Sequence, residues 1–433
     1  MEGQSIVIDN GTSFTKIGYS GNIEPDFVIP TVISNVNNKN KSNISSKADE
    51  FNFSIGDEAI NLLKESKTDK LIYPMRDGLI DNWDLMEKFW FKSIYDYLNC
   101  DPEAHYFVIS EPSLNPPKNR ENMAEIFFET FNVPGLYICD QARFAVYAVY
   151  RIGKFSDYFI SGDPIQEKAI KSFTGLVINL GDGMTQIVPV CQKYPVESNI
   201  IKQFPITGES INTFIRQMLK ERGENIQTPD LPYAIMELKE KYGYLSRDII
   251  GVISKFDKKK NENGKFAQSL KFKKMEGVGR ISNKPYSINL GYESFLGPES
   301  YFSPEIIDKN FKESIEEIID LTIQQCPIEY RKLLYSNIIL TGGNGFFLNF
   351  DKKLEISLQD KVNKRLRKYN FEKQDSIKVN VKNGGPGKYL EWLGGSSIST
   401  KDSFKSFAHT RQEYLEKGSS CFRDKKYFMS EKI

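Results

Sequence analysis

Histidine is almost missing from this chain of 433 residues. Only His105 and His409 are present, beside five scattered cysteines: Cys100, Cys139, Cys191, Cys326 and Cys421. No CxxC pair occurs, so a zinc site has too few ligands at workable spacing. A Ser-His-Asp or Cys-His centre would have to use one of two histidines, and neither sits in a nucleophile motif. An odd, sparse set of thiols suits a reducing compartment. Excess charge is missing too. The chain carries 58 Lys+Arg against 57 Asp+Glu, which lacks the basic surplus of a dedicated nucleic-acid binder or a polybasic membrane-surface protein. No run reaches ~18 apolar residues, so no membrane span is expected. Met1-Glu2-Gly3-Gln4 has neither the basic nor the apolar region of a signal peptide. There is no GxxxxGK[ST], which excludes a P-loop NTPase. No GxGxxG with a downstream ribose-binding acid occurs, which argues against a Rossmann dehydrogenase.

Material for cores is present. Hydrophobic residues make up 39% and aromatics 13%, which excludes a mainly disordered or fibrous chain. At ~150 residues per domain, the length suggests two or three domains. Apolar runs bounded by turn residues predict strands at Ser5–Asp9, Phe14–Tyr19, Tyr106–Ser110, Gly175–Leu180, Met184–Val190 and Asn337–Leu340. Helical spacing predicts Asp84–Tyr97, Asn119–Phe131, Asp140–Tyr150, Ile211–Gly223, Tyr233–Tyr244, a helix within Glu305–Cys326, and one over Phe347–Leu366. Three polar stretches, Asn35–Lys47, Lys154–Ser172 and Asp257–Lys265, read as solvated loops or insertions. Alternating strands and helices mean α/β layers.

Two segments about 170 residues apart share one design. Val7-Ile8-Asp9-Asn10-Gly11-Thr12-Ser13-Phe14-Thr15-Lys16-Ile17 is matched by Val177-Ile178-Asn179-Leu180-Gly181-Asp182-Gly183-Met184-Thr185-Gln186-Ile187. Each is an apolar strand, a Gly-bearing turn and a Thr-containing strand, which implies two related domains. Glycine in such turns permits positive φ and lets backbone N–H groups converge on an anion. Asn-Gly and Asp-Gly turns are common in ordinary hairpins; the matched pair is what points to a polyphosphate clamped between them. Asp9 and Asp182 beside phosphate require a hydrated Mg²⁺ between, held through its waters. A third turn, Thr341-Gly342-Gly343-Asn344-Gly345, would let an adenosine approach the backbone.

At these residues the sequence resembles the actin family, within the actin, Hsp70 and sugar-kinase superfold. It is closer to an actin-related branch than to conventional actin. The resemblance runs nearly end to end. It includes Ile55-Gly56-Asp57-Glu58-Ala59, Asp81–Glu87, Glu111-Pro112, Asn119-Arg120-Glu121, Phe131–Ile138, Gly291–Glu299, Trp392-Leu393-Gly394-Gly395-Ser396 and the segment from Ala408 to Cys421. It implies duplicated α/β domains forming four subdomains around a nucleotide cleft. Subdomain 1 would take 1–32, 73–148 and 390–433; subdomain 2, 33–72; subdomain 3, 149–206 and 299–389; subdomain 4, 207–298. The implied cofactors are ATP or ADP with Mg²⁺ or Ca²⁺. Gly11, Thr12, Ser13, Phe14 and Lys16 would hold phosphate from one side, and Gly181, Asp182, Gly183 and Met184 from the other. Lys239, Glu240, Gly342, Gly343, Asn344, Phe346, Phe347 and Lys388 match positions around the adenosine. Asp9, Asp182 and Asn179 would hold the metal through water.

Catalysis is where the sequence departs from its family. Gln141 matches the glutamine that positions the attacking water. The family has Asp where this chain has Asn179, and His where it has Gln186. Asn179 lacks the negative charge, and Gln186 cannot titrate near neutrality. Losing one such group can lower a rate by ~10²–10³, so the expectation is nucleotide binding with slow or absent hydrolysis. The function implied is an ATP-binding subunit of the Arp2/3 complex, which nucleates branched actin filaments. Its partners would be a second actin-related subunit that helps template the daughter filament, accessory subunits, the actin filament and nucleation-promoting factors. Its place would be the cytoplasmic actin cytoskeleton. Two alternatives stand beside it: an actin-like protein with other cytoskeletal or nuclear partners, and a small-molecule kinase of the same superfold, which would need a carboxylate base that the Asn179 position does not offer.

Overall fold

Val7 and its neighbours are buried on both faces of their strand, and the sheet around them explains why. The computed structural model describes residues 3–35, 53–64, 70–155, 162–224, 229–257, 273–368, 377–383, 387–401 and 403–423. In it, β1 (Ile6–Asp9) pairs antiparallel with β2 (Phe14–Tyr19), and β2 with β3 (Phe27–Pro30). On its other side β1 runs parallel to β4 (Phe107–Glu111), and β4 runs parallel to β5 (Gly135–Asp140). The short strand His409–Thr410 closes that edge.

The second sheet repeats the design. There β6 (Gly175–Leu180) pairs antiparallel with β7 (Thr185–Cys191), and β7 with β8 (Lys202–Phe204). On the far side β6 runs parallel to β9 (Ile338–Thr341), and β9 parallel to β10 (Val381–Asn383). Strand for strand, order and direction are the same, so the internal repeat is a duplication of an α/β unit.

Side-chain alternation assigns the faces. Ile6, Ile8, Phe107 and Ile109 point into a cluster on the outer face of the first sheet. Leu176, Ile178, Leu180, Ile338 and Leu340 do the same on the second. The residues between them, Val7, Val108, Val177 and Ile339, meet in a third cluster with Phe144, Ala148, Leu390 and Trp392. Parallel strands covered on both faces read as continuous apolar runs, which is why these strands stood out in the sequence. The helices Gln141–Phe155 and Leu390–Ser399 fill the space between the sheets. They approach so closely that a Cβ at Gly394 would strike the Phe144 carbonyl. Trp392 donates its indole N–H to the Val7 carbonyl at 3.0 Å, tying the second helix to β1.

Several expected elements need correction. Lys154–Ser172 is not a solvated loop throughout: 162–172 contains a helix, Pro164–Lys171, capped by the Asp163 carboxylate and burying Gln166, Ala169 and Ile170. Its charged residues, Glu167, Lys168 and Lys171, lie outside the buried stripe and hid it. The helix expected within Glu305–Cys326 begins only at Ile315, where Ser314 and Glu317 form a capping box. The segment after Pro304 is a single 3₁₀ turn. The helix expected from Phe347 runs over Phe350–Lys368, after a 3₁₀ turn at Gly343–Phe346. The one expected at Asn119–Phe131 is α over Pro117–Glu125 and continues as a π turn over Ile126–Thr130. Most of the other two polar stretches, 36–47 and 258–265, lies outside the described residues.

Candidate functional site

The carboxyl ends of β1, β4, β6 and β9 converge on one cleft, the usual place for a ligand in α/β sheets. The cavity measures about 290 Å³, and every binding, metal or water-positioning residue named from the sequence lines it. The two hairpin turns enter from opposite sides. Thr12 lies against Gly183, where an added Cβ would collide with the Thr12 side chain. Ser13 donates its hydroxyl to Asp182 at 2.5 Å, so the turns are joined directly.

The turn glycines serve space more than handedness. Neither Gly11 nor Gly181 nor Gly183 adopts positive φ, contrary to the expectation. A Cβ at Gly11 would stand 2.6 Å from the Phe14 carbonyl oxygen, and one at Gly181 would stand 2.8 Å from that of Met184. The two positions are equivalent in the repeat, and the same close approach across the turn demands glycine at both. The third loop does use the left-handed region: Gly342 has φ 77°. Asn344 then donates its amide to the Gly181 carbonyl at 2.9 Å, holding the third loop against the second hairpin.

Register explains the charges. Lys16 lies directly opposite Asp9 on the paired strands, and their ammonium and carboxylate meet at 2.8 Å. Asp9 is 1% exposed. Burial pushes its carboxyl up, but Lys16 together with bonds from Ser110 and Gln141 holds it below the usual carboxylate value. The same register places Asn179 opposite Gln186 in the second hairpin. These are the positions equivalent to Asp9 and Lys16, so an ion pair in one half is a neutral amide pair in the other. Gln186 is buried behind the turn and does not line the cavity.

Gln141 links the halves. It donates to Asp9 at 2.9 Å, and its side-chain oxygen accepts from the Asn179 amide at 3.4 Å. A carboxylate at 179 could not make that donation. The oxygen with which Gln141 would orient a water is therefore shared with Asn179. On the far wall, Lys239 is 6% exposed and reaches Asp182 at 3.3 Å and the Gly208 carbonyl at 3.4 Å. At the rim, Lys388 and Glu240 approach to 3.9 Å, both about half exposed. Phe346 packs its ring against Gly387, while Phe347 belongs as much to the core as to the cavity wall.

The cavity also holds groups that the sequence did not single out, notably Gly78, Met236, Tyr389 and Glu391. Gly78 donates its N–H to Thr12 Oγ1 at 3.0 Å and packs against Met184. Glu391 is 4% exposed, and burial lifts its carboxyl to about 7, with Asp9 adding to the rise and Lys16 opposing it. It stands three residues beyond Lys388, and no motif marks it.

A nucleotide and cation fit this chemistry. Carboxylates and ammonium groups stand on both walls. Gly343 is exposed to the cleft, and a Cβ there would meet nothing within 4 Å, which leaves room for a planar or sugar group. Among the described residues no cluster of three or more His, Cys, Asp or Glu could grip a metal directly. A divalent cation would therefore be held by water and phosphate oxygens between Asp9 and Asp182.

Residues 1–427 match the protein family described as actin. The chain is 38% identical over 427 residues to actin-related protein 3 of Dictyostelium discoideum, covering 97% of this chain and 96% of that one. It is 38% identical over 443 residues to actin-related protein 3 of Oryza sativa subsp. japonica, covering 98% and 97%. It is 37% identical over 431 residues to actin-related protein 3 of Caenorhabditis elegans, covering 96% of each.

Proposed function

This chain belongs to the actin family, and on that premise we propose that it works as an ATP-binding actin-related subunit of the Arp2/3 complex at the cytoplasmic actin cytoskeleton. There it pairs with a second actin-related subunit and, with the accessory subunits and a nucleation-promoting factor, templates a daughter filament on an existing one. The observation that carries the nucleotide part is the meeting of two equivalent glycine turns across one cleft, each beside a carboxylate and an ammonium: Asp9 with Lys16, Asp182 with Lys239. The partner part rests on similarity over nearly the whole chain to proteins named actin-related protein 3.

Bound ATP acts here as a closure ligand more than a fuel. Gly11–Phe14 and Gly181–Met184 hold the phosphates from two domains, so binding joins them. A divalent cation would neutralise phosphate charge between the two carboxylates. Hydrolysis is slow because Asn179 brings no charge, Gln186 sits away from the cavity, and Gln141 is held by Asn179 and Asp9. At 100-fold excess over Kd, a ligand that binds only the folded state adds ~2.7 kcal/mol of stability. Affinity purification of the full chain from its source cell tests the assembly. The second actin-related subunit and smaller companions should co-purify, with about one adenine nucleotide per chain after extraction. Recovery of the chain alone, free of nucleotide, would overturn the reading.

A further inference from the structure

Glu391 is out of keeping with its surroundings. It lies in the first turn of the helix Leu390–Ser399, in a buried run whose other members through Ser396 are apolar or small. An ionised carboxylate in such a place is costly unless a cation compensates it. Lys16 lines the same cavity and attracts the Glu391 carboxylate, but its ion pair, at 2.8 Å, is with Asp9. Two buried carboxylates, Asp9 and Glu391, therefore line one cavity beside the Lys16 ammonium, whose ion pair is with Asp9. Lys16 is also the positive group that one hairpin offers to an anion.

We propose that Glu391 sets the affinity of the cleft for polyphosphate, by placing a buried negative charge in the wall of the cavity that takes the phosphates. This rests on the nucleotide reading above and deepens it. Its effect falls on the charged part of the ligand and spares the nucleoside. Glu391→Gln keeps the shape and removes the charge, so the cavity wall repels phosphate less. Asp9 remains to compensate Lys16, so the change leaves no unpaired cation.

The test is calorimetric titration of nucleotide-stripped full-length chain at pH 8 with MgATP, MgADP and adenosine. The wild type is compared with Glu391→Gln and, in case that variant folds poorly, with Glu391→Ala. A unit charge about 10 Å from phosphate, at an effective dielectric of about 20, is worth roughly tenfold in affinity. MgATP and MgADP should therefore bind about tenfold tighter to a folded variant, while adenosine stays within about twofold of wild type. Equal or weaker phosphate binding by a variant that melts like wild type would overturn the proposal, as would an equal gain for adenosine. Failure of the wild type to bind either nucleotide would overturn the reading of the cleft itself.

Discussion

Replacing Lys16 by methionine removes the ammonium opposite Asp9 and leaves the carboxylate 1% exposed on the floor of the cleft. Breaking a buried ion pair from one side typically costs ~3–5 kcal/mol, because the remaining charge is uncompensated. Ser110 and Gln141 still donate to Asp9, which places the expectation near the lower end, ~3 kcal/mol. Converting Asp9 to asparagine in the same chain removes the stranded charge. The double variant Asp9→Asn/Lys16→Met should therefore be more stable than Lys16→Met alone, with a coupling of ~1–3 kcal/mol. Urea unfolding of the nucleotide-free full chain, followed by two independent probes, reads all four members of the cycle. The pH dependence follows from the same pair. The Asp9 carboxyl is held below its ordinary 3.8, so its contribution is present above that value and is lost as acid protonates it. The wild type should lose stability below pH 4 by more than Asp9→Asn does. A Lys16→Met chain as stable as wild type, or additive behaviour in the cycle, would refute the reasoning.

The remaining expectations concern neighbouring groups. Asn179→Asp/Gln186→His restores a charge at the cleft and an imidazole behind it; single-turnover ATP cleavage should rise by ~10²–10³, and no rise would show that these two positions do not limit the step. The carboxyl of Glu391 is raised from 4.5 to about 7, so its contribution is full below 4.5 and is lost as pH rises through 7; unfolding midpoints at pH 5 and pH 8 should differ less in Glu391→Gln than in wild type. Arg280 and Asp57 form an ion pair between segments 223 positions apart, but both are exposed, so Arg280→Ala should change stability by less than ~1 kcal/mol; a larger loss in urea unfolding would mean that this surface pair holds the segments together.

The fold was legible where local pattern and tertiary environment agree. The strands beginning at Val7 and Val177 are buried on both faces, so their apolar runs needed no knowledge of the partner strand. Their turns repeat because the close approach to the Phe14 and Met184 carbonyls repeats. Element ends were less legible. Pro304 resembles a helix start, yet the box at Ser314 and Glu317 supplies the stronger cap, and the helix begins at Ile315. The helix Pro164–Lys171 was hidden because only three of its residues are buried. In the site, the residues carried by contiguous motifs were found, and the isolated ones were missed. Ser110 and Glu391 reach the floor from the end of β4 and from a helix near the chain's end. Nothing in their immediate sequence marks them; the parallel pairing of β4 with β1, and the docking of the helix Leu390–Ser399 on β1, bring them to the cavity of Asp9. The register added a further point: Asn179 and Gln186 face each other, so two departures that looked independent are one exchange of an ion pair for an amide pair.

Gly343 offers the most direct test of the claim that the cleft between the two hairpins holds a nucleotide. Its backbone is exposed to the cavity, and an added Cβ there would meet no atom within 4 Å beyond its chain neighbours. Gly343→Val should therefore leave the unfolding temperature of the nucleotide-free chain close to that of wild type while filling the space a nucleotide would take. Thermal unfolding of both proteins with and without MgATP at 100-fold excess over the wild-type Kd reads the outcome. The account predicts that MgATP stabilises wild type by ~2.7 kcal/mol and leaves the melting of Gly343→Val unchanged. Equal stabilisation of both, with the nucleotide-free forms alike, would contradict it.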